Sequence, residues 1–295
     1  MIHVENLTQV YRGGKGVFDL SFEVGPGEVF GYLGPNGAGK TTTIRNLLGF
    51  MNADRGRATI DGLDCRRDAA LLQNRVGYLP GEIAFFDQMT GMQFLTFMGE
   101  MRRTKSTARR EELIERFELD ADVRIRRMSK GMKQKLGLIT AFMHDPLVYI
   151  LDEPTSGLDP VMQNVFMDLL RSEKARGRTV LMSSHLFDEV QRVCDRAGII
   201  KEGRIVTVED VQSLNAVRQK SYVVTLAEPA DAERLLAAGL DAERTSDRRV
   251  VVTVMDNYRE FFAALARCEV VGLESRAQSL EDVFMRYYGS EEHDR

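Results

Sequence analysis

The chain has 295 residues, 43% of them hydrophobic and 28% charged, with a formal net charge of −4. That balance fits a globular protein of one large domain, or of a medium domain plus a small one. It leaves no global basic field to recruit nucleic acid, and nowhere do 18 apolar residues run together to span a bilayer.

Cys65, Cys194 and Cys268 lie far apart with no metal-ligand spacing, which fits buried thiols in a reducing compartment better than a disulfide frame. The opening residues, MIHVENLTQVY, lack the basic segment and apolar core of a signal peptide. A cytosolic protein is expected.

Over the first 33 residues apolar and polar positions alternate between turn signals. VFDLSFEV and EVFGYLG, separated by Gly25-Pro26-Gly27, read as strands. The second feeds the turn GPNGAGK, behind which TTTIRNLLGF has helical spacing, and RATIDG and VGYLP are further short strands. From Thr90 to about Leu119 the period becomes helical, with Phe94, Leu95, Phe97, Met98 and Met101 on one side; STARREELIERFEL supplies a charged helix there. MSKGMKQKLGLI opens another helix. LVYILDEP and TVLMSSH then read as buried strands, with the helical PVMQNVFMDLLRSEKARG between them. The helical LFDEVQRV and the strands RAGIIKEG and RIVTV follow.

Strands alternating with helices predict a mainly parallel sheet flanked by helices. A helical lobe, about 82–143 and all-helical from 90 to 143, is inserted into it. Near residue 215 the pattern restarts: SYVVTLA, ADAERLLAAG, RRVVVTVM, NYREFFAALAR and EVVGLES give a βαββαβ-like order. Two domains are expected, 1–215 and a small α+β domain at 216–295. SLEDVFMRYYG reads as an amphipathic helix with Leu280, Val283, Phe284 and Tyr287 inward, before a polar tail.

GPNGAGKTT matches G-x-x-x-x-G-K-[ST] from Gly34 to Thr41. Gly34, Pro35, Asn36, Gly37, Ala38 and Gly39 form a turn whose backbone N–H groups can face a phosphate, and the next helix adds its positive end. Lys40 suits the β- and γ-phosphates, and the Thr41 hydroxyl, with Thr42 beside it, suits Mg²⁺. The buried strand of LVYILDEP ends in Asp152-Glu153, which brings one carboxylate for Mg²⁺ and a second for a water in line with the γ-phosphate. A GTPase would need an N-K-x-D guanine reader, and the chain has no Asn-Lys pair.

With MSKGM upstream of LDEP, SGLD (Ser156 to Asp159) after it, and SSH ending the next strand at His185, the chain resembles the nucleotide-binding subunit of ABC transporters over roughly residues 1 to 215. The fold implied is a P-loop NTPase core with a mainly parallel sheet, an antiparallel β subdomain and the inserted lobe. By this resemblance Tyr11 stacks on adenine, Asp152 organises Mg²⁺, Glu153 is catalytic, and His185 contacts the γ-phosphate and braces the water. Asp159 meets an opposite subunit, a role compatible with capping the helix that follows it.

The family's signature is usually Leu-Ser-Gly-Gly-Gln. Here Met128, Lys130 and Met132 replace three of the five while Ser129 and Gly131 remain. The resemblance has Ser129, Lys130, Gly131 and Met132 close over an ATP held by a second subunit. Members usually place a glutamine after the strand VGYLP; this chain has Gly81-Glu82, so either Glu82 supplies a metal oxygen after a one-residue shift or that role is absent. Both variants look similar to exporters of the ABC-2 type, which move drugs, antimicrobial peptides or lipids.

The resemblance thus implies an ATPase using ATP and Mg²⁺, paired with a second copy or a homologous subunit and peripheral at the inner face of the cell membrane through a separate permease. A soluble ABC-type ATPase acting on ribosomes or DNA is the rival reading; one cassette, no heptad run and an acidic balance disfavour it, and no nucleic-acid partner is expected. In the lobe, Arg102, Arg103, Lys105, Arg109 and Arg110 read as a solvated face in preference to a surface for lipid headgroups or acidic permease loops. Phe85 and Phe86 are either a permease contact or lobe core.

Overall fold

A computed structural model describes residues 1–104, 106–216, 220–254 and 257–276. The chain divides into two compact units, Met1–Gln212 and Ser213–Arg295.

In the first unit, β1 (Ile2–Val10), β2 (Gly16–Val24), β4 (Arg55–Ile60) and β5 (Leu63–Asp64) form an antiparallel sheet in the order β2-β1-β4-β5. Strand β3 (Val29–Leu33) lies in a second sheet with β6 (Val76–Leu79), β7 (Val148–Asp152), β8 (Thr179–Ser184), β9 (Arg196–Lys201) and β10 (Arg204–Asp210), ordered β10-β9-β3-β8-β7-β6. Only the β10–β9 pair is antiparallel. Strands β3, β7 and β8 are buried at every position, as parallel strands covered on both faces must be. That is why they read as continuous apolar runs.

Helix α1 (Lys40–Leu47) follows β3, and the short α2 (Ala69–Leu72) precedes β6. Val17 and Leu20 of β2, Ile44 and Leu47 of α1, and Phe30 and Tyr32 of β3 share one core. Phe22 stacks on Phe30 and Tyr32 at 5.6 and 5.4 Å. The antiparallel sheet thereby fixes where the P-loop helix sits.

Between β6 and β7 the chain leaves the sheet for α3 (Gly91–Met101), α4 (Ala108–Arg116), a single 3₁₀ turn (Ile125–Arg127) and α5 (Lys130–Phe142). Thr90 and Gln93 cap α3 reciprocally, each side chain bonded to the other's backbone, which satisfies two otherwise orphan donors. Phe142 stacks on Tyr149 of β7 at 4.2 Å, so the last helix of the lobe is anchored on the strand that ends in Asp152. Helices α6 (Pro160–Ala175) and α7 (Phe187–Val193) complete this unit, and α8 (Val211–Ala216) follows β10.

In the second unit β11 (Lys220–Leu226), α9 (Pro229–Leu236), β12 (Asp241–Ser246), β13 (Arg249–Val254), α10 (Tyr258–Leu265) and β14 (Val270–Arg276) follow in that order. The fully antiparallel sheet runs β12-β13-β11-β14, the split βαβ arrangement of ferredoxin-like domains. Val224, Val250, Val252 and Val254 pack under Leu235 and Phe261.

Five numbered elements have no explicit counterpart in the sequence reading: β1, β5, α2, α8 and β12. Strand β12 is DAERTS, exposed at five of its six positions, and an edge strand without an apolar face has no alternation to detect. In α3 the inward side ends before Met101, which is 68% exposed; Arg102, next along, takes the inward direction. The helix expected from Leu280 to Tyr287 lies outside the described residues.

Candidate functional site

The carboxyl ends of β3, β6, β7 and β8 converge on a cleft of about 560 Å³, where ligands bind in open parallel sheets. The P-loop lines it with Pro35, Asn36, Gly37, Gly39, Lys40, Thr41 and Thr42. Gly39 has φ +110, and a β-carbon there would sit 2.6 Å from Val17, so this turn admits only glycine. Ala38 O accepts from Gly203 N at 2.9 Å, and Gly34 N donates to Ser184 O at 3.2 Å. Both bonds pin the loop to the sheet.

Lys40 is buried, and its Nζ donates to Gly34 O at 2.6 Å and to Pro35 O at 3.3 Å. The same Nζ lies 3.2 Å from Glu153 Oε1 as an ion pair. The other oxygen, Oε2, is 2.7 Å from His185 Nδ1. Glu153 has φ +51, a conformation costing about 1–3 kcal/mol outside glycine and typical of working sites. Its N–H donates to Ser183 Oγ at 3.1 Å, which holds the turn. The predicted catalytic pair, Glu153 and His185, is therefore assembled together with Lys40.

Asp152 is buried and accepts from Thr41 Oγ1 at 2.8 Å and from Ser183 Oγ. Thr41 and Asp152 thus present hard oxygens side by side, the donor type that Mg²⁺ takes from protein when phosphates and water complete its shell. Among the described residues no three of His, Cys, Asp and Glu cluster around a common point. Glu82 lines the cleft without joining Asp152 and Glu153 in such a cluster. Gly81, not Glu82, abuts the Asp152 carboxylate: a β-carbon on it would lie 3.2 Å from Asp152 Oδ2.

At the opposite end Tyr11 also borders the cleft, 39% exposed, its hydroxyl 3.2 Å from Thr42 Oγ1 and 3.3 Å from Met51 Sδ. That leaves a ring face open to a planar group. Lys15, Gly16, Arg45, Tyr78 and Pro80 also line the space, and the sequence reading had not singled them out. Burial first, and then the Asp152 charge, push the Tyr78 phenol up to about 12, so it remains a neutral hydroxyl.

The signature residues stand apart from this cleft. Ser129 caps α5, its hydroxyl accepting from Met132 N at 3.2 Å, while Met128 is buried in the lobe. A β-carbon on Gly131 would come 2.9 Å from Gly157 O, and one on Gly157 (φ +81) 3.0 Å from Lys130 Cγ. Signature and SGLD therefore form one packed unit, and Asp159 caps α6 by accepting from Val161 N and Met162 N at 3.0 Å. Gln134, unremarked in the sequence, ties α5 to the other half of the site: its Nε2 donates to Pro154 O at 2.8 Å.

Of the basic residues expected on a solvated face, Arg103 is exposed, but Arg102, Arg109 and Arg110 are engaged within the unit. Arg102 Nη1 donates to Gln73 O at 2.7 Å and meets His144 Nε2 at 2.7 Å. Arg109 binds Glu112 and the buried Glu173, and Arg110 reaches Thr96. Lys105 lies outside the described residues. Of the two phenylalanines, Phe85 packs edge-on against Phe94 at 5.0 Å, whereas Phe86 is 54% exposed.

Fold and cleft together define a P-loop ATPase of the ABC cassette type. The ABC transporter family model matches residues 17–156. The chain is 37% identical over 290 residues to the Nod factor export ATP-binding protein I of Paraburkholderia xenovorans, covering 96% of this chain and 95% of the relative. It is 34% identical to the daunorubicin/doxorubicin resistance ATP-binding protein DrrA of Streptomyces peucetius, covering 100% and 94%. A solved ATP-binding subunit of an ABC transporter superposes with a TM-score of 0.67 at 29% identity, over 73% of this chain and 92% of that one. This chain belongs to the ABC transporter ATP-binding family. No helix among the described residues is long and apolar enough to cross a membrane.

Proposed function

We propose that this chain is the ATP-hydrolysing subunit of an exporter of the ABC-2 type, working as a head-to-tail pair with a second copy or a homologous subunit. Each P-loop would hold one ATP, closed over by Ser129, Lys130, Gly131 and Met132 of the other chain, with Asp159 at the interface. A separate membrane permease would carry the cargo, of the drug, antimicrobial peptide or lipid class, and hold the pair at the inner face of the membrane. The observation that carries the reading is the convergence of Lys40, Asp152, Glu153 and His185 on one cleft. Relatives named for export, matching along nearly the whole chain, support the transport side.

The chemistry is phosphoryl transfer to water, dominated by positioning and electrostatics. Lys40 binds the phosphates, a role for which its burial against two P-loop carbonyls aims the ammonium. Glu153 orients a water and takes its proton, and His185, on the second carboxylate oxygen, fixes which oxygen faces that water. Thr41 and Asp152 would hold Mg²⁺, which supplies charge neutralisation to the phosphates when bound. Tyr11 stacks on the base.

The reading is tested by capture from detergent-solubilised membranes with the Glu153→Gln variant and ATP. Recovery of a multi-spanning permease is expected; recovery of ribosomes or DNA instead would favour the soluble ATPase. The P-loop role is checked separately. Lys40→Ala removes a charge-assisted contact worth about 1.5–3 kcal/mol, so ATP affinity measured by fluorescent-nucleotide titration should fall roughly 10- to 100-fold. Unchanged affinity contradicts the assignment.

A further inference from the structure

Positive charge in the helical lobe falls into two kinds. Arg102, Arg109 and Arg110 are tied to carbonyls, carboxylates or a hydroxyl within the unit. Between Val123 and His144, by contrast, the chain has no acidic residue and six cations, all from Arg124 to Lys135. Arg124, Arg126, Arg127 and Lys130 are exposed, and none makes an ion pair or side-chain hydrogen bond with another described residue. These four flank Ser129 along the chain, and the Lys130 stem lies along Gly157.

Gathered like charges destabilise a compact chain by self-repulsion unless an anion completes them. Two copies of a chain with net charge −4 also repel at long range, so their association calls for a local patch of opposite sign. The nucleotide cleft supplies one only when loaded, since Lys15, Lys40 and Arg45 balance its three acids. Glu82, Asp152 and Glu153 also line it, and a bound triphosphate tips that balance to net negative.

We infer that Arg124, Arg126, Arg127 and Lys130 form a cationic collar that steers one copy of this chain onto the nucleotide-loaded cleft of a second copy, making the charge of the bound nucleotide a determinant of pairing. The inference rests on the head-to-tail reading proposed above and extends it from the signature itself to the arginines before it. Exposed charges at the rim of an interface act mainly on association rate and salt dependence. The collar therefore favours a partner carrying ATP over one carrying ADP, which has one phosphate fewer. It leaves nucleotide affinity of a single copy untouched.

The test uses the full chain with Glu153→Gln to stop turnover, with and without Arg126→Gln and Arg127→Gln. Pairing with Mg²⁺ and ATP is followed by sedimentation at about 0.1 M and about 1 M salt, where the screening length falls from about 10 to 3 Å. The parent is expected to pair more weakly at high salt. The collar variant should pair roughly tenfold more weakly at low salt and lose most of the salt dependence. Its thermal midpoint and its affinity for a fluorescent ATP analogue should match the parent's. A collar variant that pairs like the parent, with the same salt dependence, overturns the inference. So does one that pairs normally but loses binding to phosphatidylglycerol vesicles, which would make the collar a membrane surface. A parent that fails to pair at either salt concentration overturns the head-to-tail reading, and the collar with it.

Discussion

Buried polar side chains separate the two units. In Met1–Gln212, Lys40, Gln134, Asp152, Glu173, Ser183 and Glu189 are all buried; among the described residues of the second unit only Asp231 is. Burying such groups costs stability unless each finds a partner. In the first unit the partners cross between elements: Gln134 to Pro154, Ser183 to Asp152, Ser184 and Thr155 to Glu189. In the second, this one carboxylate, Asp231, bonds Arg234 on its own helix and Glu269 N 38 residues on, and valines fill the sheet. Polar burial around one cleft marks where a unit does chemistry, and its scarcity marks a unit held by apolar packing.

The sharpest way to break that comparison is to remove one charge from the cleft without changing its shape. Glu153→Gln keeps the side-chain volume and loses the proton acceptor, so phosphate release should drop about 10²- to 10⁴-fold. ATP binding, read by nucleotide titration, should persist. Ordinary turnover in this variant removes Glu153 as the base.

A buried charge away from the nucleotide should cost stability as well. Glu173 is fully buried, bonded by Arg109, Arg176 and, at 2.9 Å, by the Tyr149 hydroxyl. Glu173→Ala strands these partners, and breaking a buried pair this way costs about 3–5 kcal/mol. A lower denaturant midpoint is expected, with slower hydrolysis, because Tyr149 and Asp152 share β7. A midpoint within error of the parent would show that the network is not a load on the fold.

How much of this was legible depended on distance along the chain. The P-loop, Asp152-Glu153 and His185 were readable because each lies at the end of an apolar strand, and residue type plus strand end suffice to place it. Gln134 and Ser183 act across 20 and 31 residues, and nothing local to either names its partner. Arg102 and Arg109 misled for the same reason: a long cation in a polar helix looks solvated until its partners are known. The βαββαβ order of the second unit could be read without quoting β12, since its other strands carry alternating apolar faces.

His144 gives a smaller, graded test within the first unit. Burial, and then the Arg102 charge, push its imidazole down to about 4 from the ordinary 6.5. The folded chain therefore holds this ring neutral while the unfolded chain protonates it below about 6.5. Stability from this group is complete above that value and is lost as pH falls toward 4, by roughly 3 kcal/mol over the window. His144→Gln should flatten the dependence of the unfolding midpoint on pH between about 7 and 4. An equally steep profile in that variant would move the origin of the slope to other groups.

The least effect on chemistry is expected from the deepest cut into the second unit. Phe261 is a fully buried residue of α10, stacked on Tyr222 at 5.2 Å. Phe261→Ala should cost that unit about 3–5 kcal/mol, visible as a separate, earlier unfolding step by calorimetry. If polar burial alone locates the chemistry, hydrolysis by the isolated chain should stay within about twofold of the parent, since no group of the cleft belongs to this unit. A larger loss of turnover would mean that the apolar unit conditions the ATPase, and the division between the two would have to be redrawn as coupling.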